Sequence, residues 1–229
     1  MRNGIVIATL SGNVARIMQG LLCNEQNYGY AAADEFNWTG NEGDLWRMIK
    51  LSSPRLVFLE SCFDREDTRW LVHRLCERYR NIHIAIFTVG LCEPMTAAAL
   101  VTWGAESYLD LRGEEKDFRH EVRVILGGGK FIPAFIVGLT AEMKYSPGKG
   151  KPFTRQQLKI FKLTVFGTKK KEIGKLLCLS VNTIKTHRQH INLICGGEKV
   201  IDYIQFGLQR GIITAEQLSE GGSNYDTTN

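Results

Sequence analysis

Two hydrophobic rhythms run through the chain. In the first, short unbroken apolar runs alternate with longer stretches where apolar residues return every third or fourth position. Gly4–Ser11 (GIVIATLS), Arg55–Glu60 (RLVFLE), Ile82–Thr88 (IHIAIFT) and Ser107–Leu111 (SYLDL) are runs of the kind a strand buried on both faces requires, and Tyr28–Ala33 is a weaker one. Between them the spacing predicts helices. Asn13–Asn24 carries Val14, Ile17, Met18, Leu21 and Leu22 on one face, and Asp44–Leu51 turns Leu45, Met48 and Ile49 inward. Asp67–Arg80 does the same with Leu71, Leu75 and Cys76; Pro94–Trp103 ends at Gly104, and Glu115–Leu126 is stopped by Gly127–Gly129. Strand and helix alternate five times, which specifies an α/β domain: a five-stranded parallel sheet with helices on both faces.

After residue 130 the strand rhythm stops. Phe131–Tyr145 predicts a short, unusually apolar helix after Pro133, and Ser146–Pro152 (SPGKGKP) has the composition of a flexible linker. From there the period is helical only. Thr154–Phe166 aligns Leu158, Phe161 and Val165 and ends at Gly167; Lys169–Leu177 carries Ile173, Leu176 and Leu177. Ser180–Cys195 follows, with Ser180 as N-cap and a buried stripe of Val181, Ile184, Ile191 and Ile194. A helix over Lys199–Arg210 closes an all-α four-helix domain. A short helix, a tight turn and a longer polar-faced helix is helix-turn-helix geometry. The expected organisation is therefore 1–130, an α/β domain; 131–152, apolar helix and linker; 153–213, helix-turn-helix; and 214–229, a disordered tail, clearest from Glu220 onward.

The polar face of Ser180–Cys195 changes the picture. Asn182, Thr183, Lys185, Thr186, Arg188 and Gln189 lie between the apolar positions without one acidic residue. A solvated face mixes Glu with Lys; this one offers donors to phosphates and base edges. Charge agrees. The chain has 229 residues and a formal net charge of +5, with 44% hydrophobic and 23% charged residues. Residues 151–210 hold twelve Lys and Arg against three Asp and Glu, while residues 1–150 are nearly balanced. The basic charge sits on the helix-turn-helix, the electrostatic footprint of a DNA binder.

At this point a family resemblance becomes definite. Phe153–Ile213 resembles the LuxR-type (GerE-type) DNA-binding domain, through FTRQQLKIFKL, the Gly167 turn, KKEIGKLLCLS, VNTIKTHRQHI and DYIQFGLQRGII. Lys185, Thr186 and Gln189, on the side opposite Ile184 and Ile191, match that family's base-reading positions. Lys169, Lys170, Lys171, Ser180, Asn182, Thr183, His187 and Arg188 are the expected phosphate-side residues. Val200, Ile201, Ile204 and Leu208 exceed what closing a four-helix domain requires, and the family dimerises there. Residues 4–130 resemble the receiver of NarL/FixJ-class response regulators of two-component systems, by topology and by Pro54, Thr88 and Gly104-Ala105 before Tyr108.

The receiver resemblance carries three departures. A working receiver of that class gathers carboxylates at the ends of strands one and three to hold Mg²⁺ beside a phosphoryl-accepting Asp, and places a Lys after strand five. This chain has Thr9 and Leu10 in place of the acidic pair, Glu60 in place of the Asp, and Leu111 in place of the Lys; Thr88 alone keeps its identity. Mg²⁺ favours hard oxygen ligands, which Leu10 cannot supply, and the Glu60 carboxylate is one methylene out of line. Were the strand register shifted, Asp64 or Asp110 would be the acceptor instead.

The expectation is a phosphorylation-independent, sequence-specific transcription regulator that binds promoter DNA as a homodimer in the cytoplasm. The alternative is a signalling module whose vacated pocket senses a small molecule or an adaptor protein. No phosphate loop, nucleophile elbow or metal triad argues for an enzyme; Gly127-Gly128-Gly129-Lys130 lacks P-loop spacing. No run approaches the roughly eighteen apolar residues of a membrane span. Cys23, Cys62, Cys76, Cys92, Cys178 and Cys195 show no C-x-x-C spacing and are expected mostly as small buried residues. His187 and His190 stand three apart, but no further ligands are near, so neither metal nor cofactor is expected.

Overall fold

The structure, a computed structural model, describes residues 4–26, 35–64, 68–145, 153–210 and 212–219. It divides into two compact units, Met1–Gly138 and Leu139–Asn229.

The first unit is a parallel five-stranded sheet ordered β2-β1-β3-β4-β5. The strands are β1 (Gly4–Ala8), β2 (Glu35–Thr39), β3 (Leu56–Glu60), β4 (His83–Thr88) and β5 (Ser107–Asp110), interleaved with α1 (Gly12–Gln26), α2 (Glu42–Ser52), α3 (Thr68–Arg78), α4 (Pro94–Thr102) and α5 (Glu115–Leu126). β1 and β3 are buried at every position, as apolar runs without alternation require. Ile5, Ile7, Phe58 and Phe87 form one core with Met18 and Leu22 of α1 and Val122 and Ile125 of α5. The alternate residues Val6, Val57 and Ile86 point the other way and are equally buried, so the sheet is covered on both faces. α2, α3 and α4 bury Leu45, Ile49, Leu71, Val72, Leu75 and Ala97–Leu100.

Several expectations need correction. Tyr28–Ala33 lies outside the described residues; the strand that pairs with β1 is Glu35–Thr39, in register from Gly4↔Glu35 to Ala8↔Thr39. Its sequence, EFNWT, is that of a half-exposed edge strand, which charge and Asn make hard to read as apolar. Ile17 is 66% exposed rather than inward, because Val14, Met18, Leu21 and Leu22 already fill the stripe α1 turns to the sheet. Cysteine burial fails most broadly. Only Cys195 is buried; Cys23, Cys62 and Cys178 are exposed, Cys76 and Cys92 intermediate, and all six are free thiols. Several of them stand in turns and at helix ends, where packing does not decide side-chain placement.

α6 (Ala134–Tyr145) spans the division between the units, and residues 146–152, read as a linker, lie outside the described residues. The second unit is helical: α7 (Arg155–Val165), α8 (Lys170–Leu176), α9 (Val181–Cys195), α10 (Val200–Gln209) and α11 (Ala215–Ser219). Phe153, Phe161, Tyr203 and Phe206 form its aromatic centre, with Phe153–Phe161 centroids 5.0 Å apart and Phe161–Tyr203 stacked at 5.6 Å. α11 falls in the stretch read as tail. Thr214 and Gln217 bond each other's backbone N–H reciprocally, and Leu218 packs on the core. The signal was T-x-x-Q, a capping box visible in the sequence. Residues 220–229 lie outside the described residues.

Candidate nucleic-acid interface and receiver pocket

The helix-turn-helix is built from its caps. Thr154 and Gln157 make a capping box that starts α7, and Gly167, at φ 81°, ends it. α8 closes with paired bonds, Cys178 N–H to the Lys175 carbonyl at 3.3 Å and Leu179 N–H to the Gly174 carbonyl at 2.8 Å. The return is so tight that a Cβ at Gly174 would stand 2.8 Å from the Leu179 oxygen. Ser180 then caps α9: its Oγ accepts from Thr183 N–H at 3.1 Å and pairs with the Thr183 hydroxyl at 2.8 Å. Ser180 is therefore committed to the helix start, and Thr183 is tied to it.

α9 buries Ile184, Ile191 and Cys195. The stripe is narrower than expected, since Val181 is exposed and Ile194 only partly buried. At about 100° per residue, Asn182, Lys185, Thr186 and Gln189 share an arc opposite Ile184 and Ile191. All four are exposed. The Thr186 hydroxyl donates to the Asn182 carbonyl at 3.2 Å. His187 and Arg188 flank the buried stripe, half-buried; among the described residues His187 Nδ1 has no hydrogen-bond partner, and the Arg188 guanidinium lies 5.9 Å from the Tyr203 ring. Leu193 continues the arc and is 80% exposed, a position outside the apolar periodicity. Lys169, Lys170 and Lys171 are exposed at the start of α8, where Glu172 accepts from Lys169 N–H at 3.1 Å and puts a carboxylate against the helix dipole. On α10, Val200 and Ile201 are exposed at 42% and 53%, while Ile204 and Leu208 pack partly on the core.

In the α/β unit the strand ends converge as the register requires. Glu60 ends β3 at 5% exposure. Its Oε2 accepts from the Thr9 hydroxyl at 2.6 Å and from Leu10 N–H at 3.2 Å. The carboxylate is thus turned toward β1 and held there. Thr88 points elsewhere, donating to the Gly90 carbonyl at 2.9 Å. Leu111 N–H bonds the Thr88 carbonyl at 2.9 Å, and its side chain joins the apolar core. Asp110 is paired with Arg112, whose hydrogen bonds hold its carboxyl below the usual range; Asp64 sits in the loop after β3. The strand register therefore stands as read. Burial raises the Cys92 thiol and the Tyr108 phenol. The side chains here suit Mg²⁺ poorly: Glu60 Oε2 already accepts from two protein donors, and the Leu10 side chain, 44% exposed, has no oxygen to give. Among the described residues no group of three His, Cys, Asp or Glu is placed to hold a metal ion, and no helix is long and apolar enough to cross a membrane.

Residues 151–193 match the family described as bacterial regulatory proteins, luxR family. The Fimbriae Z protein of Salmonella typhimurium is 23% identical over 153 residues, 66% of this chain and 72% of that one. The Fimbriae Z protein of Escherichia coli K12 is 24% identical over 123 residues, 53% and 59% of the two chains. Among solved structures, RcsB from Salmonella enterica serovar Typhimurium bound to promoter rprA aligns with a TM-score of 0.53 at 16% identity, over 90% of this chain and 98% of that one. A structure of two RcsB dimers bound to two parallel DNAs aligns at 0.51 with the same identity and coverage. At such identity the structural likeness speaks for the fold. Taken with the match over residues 151–193, it shows an α/β domain with a five-stranded parallel sheet joined to a helical domain similar to that of the luxR family.

Proposed function

We infer that the chain is a sequence-specific DNA-binding transcription regulator that acts as a dimer and takes no phosphoryl group. The observation that carries the DNA reading is the exposed arc of Asn182, Lys185, Thr186 and Gln189 on α9, capped by Ser180 and free of acidic residues. Lys185, Thr186 and Gln189 face base edges. Lys170, Lys171, His187 and Arg188 serve phosphates, and Ser180, Asn182 and Thr183 shape the helix start beside them. Domain limits of 1–130 and 153–213 suit this division of labour.

Phosphorylation independence rests on Glu60. A phosphoryl acceptor must present an unencumbered oxygen beside a metal. Here Glu60 Oε2 is bonded to both Thr9 and Leu10, which turns the carboxylate toward β1, and Thr88 faces its own loop. A second reading, a pocket for a small ligand or adaptor protein, draws support from exposed Leu10, Val89 and Leu91 at the strand ends.

One experiment separates these. The full chain is used to select duplexes from a random pool, and affinity for the winner is measured against random DNA at stated salt, with and without a small phosphodonor and Mg²⁺. Preference for the winner, unchanged by phosphodonor and with no gain of mass, is the expected result. Equal binding to all duplexes removes sequence specificity; a phosphoryl adduct that tightens binding removes independence.

A further inference from the structure

The last turn of α9 carries a leucine that the core does not claim. Leu193 is 80% exposed, while Ile191 and Cys195 on either side of it are buried and Ile194 packs partly on the core. The turn is firmly closed. Gly196, at φ 75°, and Gly197 both donate their N–H to the Asn192 carbonyl, at 2.9 and 3.2 Å. Asn192 Oδ1 accepts from the Tyr203 hydroxyl, which ties the neighbouring side chain to α10. The direction in which Leu193 leaves the helix is therefore set by the fold. At about 100° per residue it projects within about 20° of Asn182 and about 40° of Gln189, inside the exposed arc. Asn182, Lys185, Thr186 and Gln189 all bring hydrogen-bonding groups to that arc. Leu193 alone brings a purely apolar side chain.

We propose that Leu193 is a specificity-determining residue that reads a thymine through its 5-methyl group. The proposal rests on α9 being the helix that lies in the major groove. There a thymine is marked by a methyl as well as by an acceptor, and an apolar side chain is the group that recognises the methyl. When the two meet, both apolar surfaces leave water together. A charged residue at the same place would reach phosphate and carry no sequence information. Lys185 and Leu193 stand ~12 Å apart along the helix axis, which at ~3.4 Å per base step puts the thymine about three to four base pairs from the pair read by Lys185.

The test uses the full chain and the selected duplex, with each thymine replaced in turn by deoxyuridine, which lacks only the methyl. One replacement is expected to weaken wild-type binding about three- to five-fold, the effect of one buried methyl-sized group. Leu193→Ala binds the thymine duplex more weakly by at least that factor and no longer distinguishes it from the deoxyuridine duplex. Leu193→Met, still long and apolar, keeps the distinction. No charge is lost in either variant, so the slope of log affinity against log salt stays at the wild-type value. Wild-type binding that is indifferent to every replacement overturns the proposal. A Leu193→Ala chain that still distinguishes the two duplexes as wild type does overturns it equally, and places Leu193 against sugar, phosphate or a second copy of the chain. A wild-type chain that prefers no duplex removes the DNA reading and this one together, whereas a preferred duplex with silent replacements removes this one only.

Discussion

Lys185 stands on the exposed arc of α9, in the second turn after the Ser180 cap, with a compact charge on a long stem. Such a group reaches a guanine O6/N7 edge. Lys185→Ala is expected to cost about 1–3 kcal/mol at the preferred site and to relax preference at one base pair. Equal weakening across all sequences in a competition assay would place Lys185 on the phosphate backbone instead. A different residue carries pH sensitivity. His83 Nε2 lies 2.8 Å from Ser107 Oγ, which also accepts from Phe131 N–H at 3.0 Å. Burial lowers the His83 pKa; Glu106 pulls it up, and Lys130 and Arg55 push it down. The depressed value means that the unfolded chain takes up a proton more readily than the fold does. The contribution is therefore whole above the unfolded pKa of about 6.5 and is lost as pH falls toward the folded value. Melts of the full chain between pH 8 and 5.5 should show stability falling on the acid side, and His83→Gln should flatten that dependence.

At the scale of elements, two helices end on a side chain at positive φ, α2 at Ser53 with φ 47° and α8 at Cys178. α4, α5 and α7 each place a glycine at the left-handed position past the helix, Gly104, Gly128 and Gly167; α8 places Cys178 there, at φ 52°. A side chain at positive φ costs roughly 1–2 kcal/mol, partly offset by the lower chain entropy of a non-glycine residue. Cys178→Gly should therefore stabilise the helix-turn-helix by about 0.5–1 kcal/mol in urea melts. A loss of stability would show that the cysteine makes a compensating contact. The start of α8 sets another expectation. Lys170 and Lys171 are exposed at the head of the motif's first helix, and neutralising both should flatten the salt dependence of DNA binding by up to ~0.9 for each phosphate they had neutralised; an unchanged slope moves them off the DNA. Elements bounded by caps and glycines were legible: α5 begins and ends where the sequence pattern puts it, and Ser180 starts α9. What escaped was anything decided by partners distant in sequence. EFNWT becomes a strand because β1 offers it a ladder, and Ile17 faces outward because four neighbours already fill the stripe. That position 60 holds Glu was readable; that its carboxylate bends to Thr9, fifty-one residues away, was not.

At the scale of the whole molecule, charge and apolar exposure divide the work. The basic residues concentrate in the helical unit, and α10 leaves Val200 and Ile201 uncovered. A dimer contact there calls for half-sites ~10 base pairs apart, one helical turn. Footprinting of the selected duplex, with Ile201→Asp as the variant, checks this: the paired half-sites should lose cooperative occupancy while the fold survives. Full affinity for a lone half-site would refute the dimer. The tied-down carboxylate of Glu60 reaches furthest. If the α/β unit takes no phosphoryl group, as proposed, phosphorylation of that pocket switches the protein neither on nor off. Occupancy of a paired site by a dimer rises with the square of protomer concentration when monomers predominate. The message is then carried by how many copies the cell keeps, and the decision passes from a covalent mark to the balance between making the protein and destroying it.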